Sequence, residues 1–433
     1  MIEGRDMAVA GTPAASQAAD DPKTQIGRLV RQHRDAMGID QARLAELADL
    51  GNKQTVSAIE RGERDVKAFE LSRIARALHV TMDVLLGIVT PPRVPQVLWR
   101  RRDVVAHDAR ARERLLGRNA QLRERAERYA KLEKWCGVEP SDQLPEFPVD
   151  IRNLTYSHVG TLAKKVLAQL DLGGIPAASL EDTLATQFGV KIFYDALGQD
   201  GEASAACVRD DDTFGCAVLL NSDEAPVRRA FSLAHELFHL ITWSSVAEAW
   251  DADVSEDQAE AGITPPWYAQ MERCAQSFAA ALLVPADRVI PEMERRAQQH
   301  AGGVVSRAAD HLGPSDYAYI AHVTFRVSTD ALLWRLYNLN QLTRDEREHL
   351  ASHPELSMWA AHVRMRDDGR RGTFPEPYWE LIRLAYDRGE AGLSKLAEFA
   401  ELRDDELYRI LSATPRDPDY EASVRESAEA AAV

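Results

Sequence analysis

Two histidines one helical turn apart constrain this chain more than any other feature. Residues 235–239 read His-Glu-Leu-Phe-His, an H-E-x-x-H pattern. On a helix, His235 and His239 point the same way, so both imidazoles can bind one zinc ion. Glu236 can then take a proton from a water on the metal. The alternative is a pair of ordinary core histidines. The apolar flanks from Phe231 to Leu240 predict a buried helix, in which an unpaired His-Glu-His set would be costly.

A catalytic zinc site usually has three protein ligands, so a third is expected outside the motif. A second helix is predicted from about Trp267 to Leu283. Glu272 lies near its start, and the apolar residues that follow predict packing against the first helix, so we predict Glu272 as the third ligand. His300 and His311 stay open as alternatives. Four acidic residues between the two helices are predicted to be solvated: Asp251, Asp253, Glu256 and Glu260.

Length and composition limit the class of protein. A chain of 433 residues with 45% hydrophobic and 28% charged residues is long enough for two to four globular domains. No apolar run approaches the ~18 residues that span a bilayer, and the N-terminus has no signal-peptide pattern, so a cytoplasmic location and no membrane partner are expected. The cysteines are scattered, which predicts no disulfide framework. The net charge of −16 means that any contact with DNA must come from a local region.

Residues 22–88 predict a domain of five short helices. Asp40 and Asn52 are predicted N-caps, and Gly62 is predicted to end the third helix. In a helix–turn–helix unit the second helix of the pair enters the major groove. The predicted DNA-binding residues are Lys53, Gln54, Thr55 and Ser57 in that groove and Gln41 at the DNA backbone. Residues 56–64 and 71–78 resemble the Xre (lambda-repressor-like) family, and this resemblance implies double-stranded DNA as a partner. A helical protein–protein module is the alternative.

Residues 89–150 are predicted to form a basic helical connector. Arginine and lysine outnumber acidic residues from 92 to 135, and a long helix is expected there. Its apolar positions would be Leu115, Leu116, Leu122, Tyr129 and Leu132. Such a helix could contact phosphates, or it could be a solvated connector laced with salt bridges.

The remaining chain is predicted to contain a peptidase-like domain over 151–325 and a helical region over 326–433. Strands are predicted at 190–194, 205–208 and 216–220, just before the helix of the histidine motif. Ser328 or Thr329 is a predicted helix cap, and two or three further helices are expected over 374–411. Residues 1–21 and the tail from about 414 are predicted to be disordered, and Ile2-Glu3-Gly4-Arg5 has the form of an engineered protease recognition sequence.

Three stretches resemble the ImmA/IrrE family of zinc metallopeptidases: residues 218–221, 228–239 and 272–285. The resemblance implies Zn²⁺ as cofactor, His235, His239 and Glu272 as its ligands, and Glu236 as the catalytic base. Phe238 stands where the family often has glycine, and Trp243 where it often has a further histidine, which predicts a narrower mouth of the active site. Members of this family act as regulatory proteases, typically on a DNA-binding repressor.

The expected fold class is therefore a multidomain α+β protein. It has an all-helical Xre-type helix–turn–helix domain, then a zincin-like peptidase domain with a small sheet, then a helical C-terminal region. The expected function is that of a DNA-binding transcriptional regulator with a zinc-dependent endopeptidase domain that cleaves a repressor-type protein in response to a signal. Two alternatives remain: self-cleavage between residues 88 and 150, and a non-catalytic domain that senses a ligand or holds zinc structurally. A homodimer is left open.

Overall fold

The computed structural model describes residues 22–36, 39–78, 80, 82–86, 98–101, 109–138, 142–197, 203–254, 264–359 and 372–413. Residues 1–21 and 414–433, and with them the predictions of disorder and of an engineered N-terminus, lie outside this set. So do Glu256 and Glu260 of the acidic loop, and the side chains of Leu115 and Leu116. The chain divides into two compact units, Met1–Pro91 and Pro92–Val433.

In its described residues the first unit contains five short helices, as predicted. They are α1 (Pro22–Ala36), α2 (Gln41–Leu47), α3 (Lys53–Glu60), α4 (Ala68–Ala77) and α5 (Met82–Leu85). The side chains of Asp40 and Asn52 accept hydrogen bonds from the first turns of α2 and α3, which confirms both caps. Gly62, just after α3, has a φ of +69°, a left-handed conformation that suits glycine at a helix end.

Each helix of this unit contributes a fully buried aliphatic side chain to one core. These residues are Val30, Leu44, Ile59, Ile74 and Leu85. Helices α1 and α3 approach so closely at Gly27 that a Cβ there would collide with the carbonyl oxygen of Ile59. The pair is also joined by a buried ion pair, in which Arg34 Nε lies 2.5 Å from Glu60 Oε1. The position of α3 is thus fixed by packing and by charge.

The second unit is built around a four-stranded sheet with helices on both faces. Its strands are β1 (Leu98–Arg101), β2 (Lys191–Asp195), β3 (Ala203–Asp210) and β4 (Gly215–Asn221). Its first helices are α6 (Ala109–Cys136), α7 (Tyr156–Gln169), α8 (Pro176–Asp182), α9 (Pro226–Ile241), α10 (Trp243–Asp253) and α11 (Tyr268–Leu283). They are followed by α12 (Ala286–Ala301), α13 (Pro314–Tyr319), α14 (Thr329–Asn338), α15 (Arg344–Ala351), α16 (354–359), α17 (Glu376–Asp387), α18 (Leu393–Phe399) and α19 (Asp404–Ala413).

The strand order is β1-β3-β4-β2. Strand β2 runs parallel to β4, whereas β1 and β3 pair antiparallel with their neighbours. The three strands predicted from the sequence are β2, β4 and β3. Strands β2 and β4 are nearly all buried, and β3 is buried from Ala205 to Val208, because helices cover both faces of the sheet. These stretches therefore appear in the sequence as apolar runs rather than as alternations.

The two faces of the sheet belong to two different cores. The inner cluster combines one face of the sheet, including Cys207, Val218 and Leu220, with α7, α9, α11 and α14. The outer cluster combines the opposite face, including Phe193 and Leu219, with α6 and the C-terminal helices α17 to α19. Odd and even residues alternate between the clusters along β2 and β4, as a pleated sheet requires.

The predicted basic connector has a different role in the structure. Its helix exists as α6, but Leu122, Ala126, Tyr129 and Leu132 are buried in the outer cluster. Arg125 is also buried; it donates to Glu401 at 2.7 Å and to Asp195 at 3.0 Å. The segment before α6 supplies a strand, β1, instead of helix. The solvated alternative is therefore wrong for the described part of α6, whose buried face includes the predicted apolar positions Leu122, Tyr129 and Leu132.

The predicted boundary at residue 325 also falls inside a core. Helix α14, which Ser328 caps as predicted, buries Leu332, Leu333 and Leu336 in the inner cluster. Arg335 Nε donates to the carbonyl oxygen of Val284 at the end of α11, at 3.0 Å. The region after 325 thus divides, with α14 to α16 completing the inner cluster and α17 to α19 completing the outer one.

Candidate metal centre

The helix of the histidine motif is the most deeply buried helix of its unit. Pro226 begins α9 at a position where a missing N–H costs nothing. From Ser232 to Ile241 every residue is buried, between the sheet on one side and α11 on the other. This burial fixes the rotation of α9 about its axis, and that rotation decides where the histidines point.

The two histidines and Glu272 converge on one point. His235 Nε2 and His239 Nε2 are 3.2 Å apart. Glu272 Oε2 lies 3.2 Å from His235 Nε2, and its Oε1 lies 3.3 Å from His239 Nε2. Zinc bonds of about 2.0–2.1 Å in a tetrahedron give ligand separations of about 3.3–3.4 Å. The three side chains therefore form a triangle of the size that one zinc ion needs.

Helix α11 brings Glu272, the residue predicted as third ligand, next to both histidines. Met271, Cys274 and Phe278 are fully buried in the inner cluster, which turns the neighbouring Glu272 toward α9. Burial by itself raises the pKa of Glu272, but the adjacent His239 and His235 hold that pKa well below its usual range. An ionised carboxylate beside two imidazoles is the donor set of an open zinc site.

The other proposed ligands lie elsewhere. His300 Nε2 is 3.0 Å from Asp316 Oδ1, and His311 is exposed. Asp253 binds Arg152 at 2.7 Å and the indole N–H of Trp267 at 2.8 Å. Among the residues that the structure describes, His235, His239 and Glu272 form the group whose ligand atoms could hold a metal ion.

Glu236 lies on the face of α9 that is turned to the sheet, and it meets a residue that the sequence did not single out. The Cys207 thiol of β3 and the Glu236 carboxylate lie next to one another, and both residues are fully buried. Burial, with this carboxylate next to it, raises the pKa of the thiol well above its ordinary value, so the sulfur keeps its proton. No local sequence pattern marks Cys207, because the contact depends on which strand residue faces α9.

A polar network fixes the turn from β4 into α9. Arg229 Nη1 donates to the carbonyl oxygen of Glu224 at 2.7 Å. The Glu224 carboxylate accepts from Ser204 of β3 at 3.0 Å and from Ser232 of α9 at 3.4 Å. Asn221 accepts from the backbone N–H of Leu197 at 3.1 Å. These bonds tie the start of α9 to two strands and so stabilise the register of the histidines against β3.

Phe238 does not narrow the mouth of the site, contrary to the sequence-based expectation. Its side chain is fully buried and packs against Phe278 of α11, with ring centroids 5.6 Å apart. The larger side chain is accommodated between the two helices that supply the ligands. Trp243 is partly buried and packs against the inner cluster, at the start of α10.

The predicted DNA-binding residues lie at the start of α2 and on α3. Lys53 and Gln54 are exposed, and Thr55 is partly buried. The Ser57 hydroxyl accepts a hydrogen bond from Arg61, one turn further along α3. Gln41 Nε2 donates to Glu60 Oε2 at 2.8 Å, so the Gln41 amide joins α2 to the buried ion pair of α1 and α3.

The chain matches the models of two known families. The helix–turn–helix model matches residues 30–85, and the model of the IrrE N-terminal-like domain matches residues 185–337. The chain carries a helix–turn–helix domain followed by an IrrE-like domain. The second match contains β2 to β4, α9 and α11, and hence the whole candidate site. This pair of domains supports a DNA-binding transcription regulator with a metallopeptidase-like domain.

One solved structure found by comparison is a Mycobacterium tuberculosis transcriptional regulator. It is 19% identical to this chain, and the match covers 51% of this chain and 54% of that one with a TM-score of 0.27. The chain thus spans about half the length of that protein, and a likeness this weak carries no structural argument. None of the curated proteins matches the chain. No helix within the described residues is long and apolar enough to cross a bilayer.

Proposed function

We propose that this chain is a DNA-binding transcriptional regulator whose IrrE-like domain is a zinc-dependent endopeptidase, and that its substrate is a repressor-type protein cut in response to a signal. The observation that carries the proposal is the triangle of His235, His239 and Glu272 with Glu236 beside it. Within the described part of the chain no fourth His, Cys, Asp or Glu joins this group, whereas a structural zinc site usually has four protein ligands. Contact with DNA implies that the chain acts in the cytoplasm. The homodimer stays a prediction.

The proposed chemistry divides between metal and protein. Zinc, when bound by the two imidazoles and the Glu272 carboxylate, supplies Lewis acidity and lowers the pKa of a water toward about 7. The Glu236 carboxylate accepts the proton that this water loses as its oxygen attacks the peptide carbonyl carbon. It then passes the proton to the departing amine as the C–N bond breaks. The Cys207 thiol lies beside the Glu236 carboxylate, and both are fully buried.

The test is a cleavage assay with purified, zinc-loaded full-length protein and a panel of small DNA-binding repressors from the same organism. We expect wild type to cut one of them at a limited site and Glu236→Gln to retain zinc without cutting, because an amide cannot accept the proton. Glu248→Gln is the matched control, since Glu248 is a solvent-accessible residue of α10. Its rate should equal that of wild type.

Fragment mapping by mass spectrometry separates the competing functions. A fragment that begins within residues 88–150 would mean that the chain cuts itself. Equal cleavage by Glu236→Gln would show that Glu236 is not the base. A zinc-loaded protein that cuts nothing in the panel, with or without DNA, would favour the non-catalytic sensor.

A further inference from the structure

Strand β1 covers the edge of the sheet that borders the candidate site. It comes from residues 98–101, outside the IrrE-like match at 185–337. Within that match the sheet consists of β2, β4 and β3, and β3 would be its edge. The edge of the domain is thus filled by a segment that lies upstream of it in the chain. An uncovered edge strand presents unpaired N–H and C=O groups that bind another extended chain.

The covered edge runs beside the proposed catalytic base. Leu98 is the Cα partner of Cys207, and Cys207 lies next to Glu236. Leu98 is 3% exposed and belongs to the same inner cluster as Cys207 and Leu237. The beginning of β1 therefore pairs with the strand residue that lies beside the Glu236 carboxylate.

Strand β1 is short and irregular, which makes its pairing with β3 weak. It has four residues, and its register shifts between Arg100 and Arg101, which pair with Ala205 and Ala203. A bulge of this kind leaves a residue of β3 without a partner on β1. Short, irregular strands at a sheet edge are easier to displace than long regular ones, and extended peptides commonly bind proteins by adding a strand to such an edge.

We propose that β1 stands in for the substrate: a protein substrate binds as an extended strand on β3 in place of residues 98–101, with an apolar side chain in the position of Leu98. This inference rests on the proposed peptidase function and adds a substrate class and a latent state to it. The preferred substrate segment is extended and carries an apolar residue opposite Cys207. The chain is latent while β1 is paired, and displacement of β1 opens the site.

A disulfide can lock the strand in place. Leu98 and Cys207 are directly opposed on antiparallel strands, where Cα atoms lie about 4.5–5.5 Å apart, within the range that a disulfide spans. Leu98→Cys should therefore cross-link to Cys207 on oxidation and separate on reduction. Leu98→Ser, which lacks the second thiol, is the control for oxidation of the other cysteines.

Binding is measured without turnover in a Glu236→Gln background. The probe is a fluorescent synthetic peptide of residues 94–104, followed by anisotropy. We expect reduced Leu98→Cys to bind the peptide at least tenfold more tightly than the oxidised protein, while Leu98→Ser is insensitive to oxidation. Leu98→Asp, which places a carboxylate in the inner cluster, should release β1 and bind at least tenfold more tightly than the background protein.

Equal affinity in the oxidised and reduced Leu98→Cys protein would overturn the proposal, as would failure of the cross-link to form. Because one protein is compared in two redox states, the result does not depend on how well Leu98→Asp folds. Hydrolysis of a repressor, measured with Glu236 intact, separates the two proposals. Redox-dependent peptide binding without hydrolysis by any variant would remove the peptidase function and keep strand exchange. Hydrolysis at the same rate by the oxidised and the reduced Leu98→Cys protein would remove strand exchange and keep the peptidase function.

Discussion

Three side chains from two helices meet at one point because each helix is held by its apolar face. His235 and His239 share a side of α9, and burial of Leu233, Ala234 and Leu237 sets the rotation of that helix. Glu272 enters from α11 beside fully buried Met271. The donor atoms are then 3.2–3.3 Å apart. If one of the three side chains is removed, the remaining two cannot form the triangle that a zinc ion needs.

Replacement of one ligand should abolish metal retention. We expect His239→Ala and Glu272→Ala to fall from about one zinc per chain to below about a tenth after dialysis against a chelator, since two ligands hold zinc far less tightly than three. His311→Ala, an exposed histidine, is the control and should keep the wild-type content. Zinc measured by mass spectrometry checks the ratio. Full zinc in the Glu272→Ala protein would show that another residue is the third ligand.

At the residue scale, the sequence predicted more of the site than of its surroundings. The histidine motif is local, and Glu272 could be chosen because a glutamate near the start of a helix with an apolar face can lie against the helix of the histidines. Cys207 and Leu98 could not be chosen. Their proximity to Glu236 depends on strand register, which involves residues more than a hundred positions apart in the chain.

Among the elements, α3 is the one that we expect to contact the DNA bases. Its inner residues Val56 and Ile59 are buried, and its first turn is capped by Asn52. Lys53 and Gln54 remain exposed at the start of the helix, where the second helix of a helix–turn–helix pair meets base edges. The Ser57 hydroxyl already accepts a hydrogen bond from Arg61, so it can meet a base edge through its own O–H as a donor.

Replacement of Gln54 and Thr55 by alanine should weaken specific DNA binding by about 1–3 kcal/mol for each side chain that hydrogen-bonds a base edge. Gel shifts on the promoter of the protein's own gene, at fixed salt, provide the measurement. Gln298→Ala, an exposed glutamine of α12, is the control for the same chemical change. Unchanged affinity and sequence preference in the double variant would favour a protein–protein module.

Helix α15 is capped by a carboxylate whose charge matters for stability. Glu346 accepts from the backbone N–H of Thr343 at 2.7 Å and from both terminal nitrogens of Arg307 at 2.7 and 2.6 Å. The side-chain bonds from Arg307, together with the bond from Thr343, lower the pKa of Glu346 to about 2. A carboxylate with a depressed pKa stabilises the fold above its ordinary pKa and loses that effect as the pH falls toward 2.

Glu346→Gln should therefore lower the free energy of unfolding by about 1 kcal/mol at pH 7, a value kept small because the side chain is partly exposed. By pH 3 the difference between variant and wild type should have shrunk by about half. Urea unfolding at both pH values checks this. Glu348→Gln on the same helix, whose surface pair with Arg344 is solvated, should change little. A pH-independent difference would mean that the loss comes from packing rather than charge.

Helix caps were the most predictable features at the scale of elements, and β1 was the least. Asp40, Asn52 and Ser328 cap their helices through a side-chain oxygen, a local interaction that the sequence indicates directly. Strand β1 is four residues long and contains two arginines, so it has no alternation to detect. It exists because β3 offers it an edge.

For the whole molecule, the decisive fact is that the sheet has two buried faces. The inner face is covered by helices within or next to the matched region. The outer face is covered by α6, which precedes that region, and by α17 to α19, which follow it. Arg125 of α6 and Glu401 join these two flanking segments through two hydrogen bonds at 2.7 and 2.8 Å.

A fragment limited to residues 185–337 should consequently fail to fold. It would expose the outer face of the sheet, including Phe193, Val208 and Leu219, as one apolar patch. We expect aggregation in size-exclusion chromatography, whereas a fragment of residues 92–413 should elute as a folded species with cooperative unfolding. A monomeric, cooperatively unfolding 185–337 fragment would contradict the role assigned to the outer cluster.

The outer cluster can be completed only late in protein synthesis. The sheet is complete in sequence at Asn221, yet the helices that cover its outer face continue to Ala413. The ribosome adds about 5–20 residues per second, so the roughly 190 residues in between take about 10–40 s. Throughout that interval the nascent chain carries an apolar sheet face that only α6 can cover. The yield of folded protein on overexpression should therefore rise with slow translation at low temperature. It should also rise with co-produced chaperones, which protect that face until the last helices emerge.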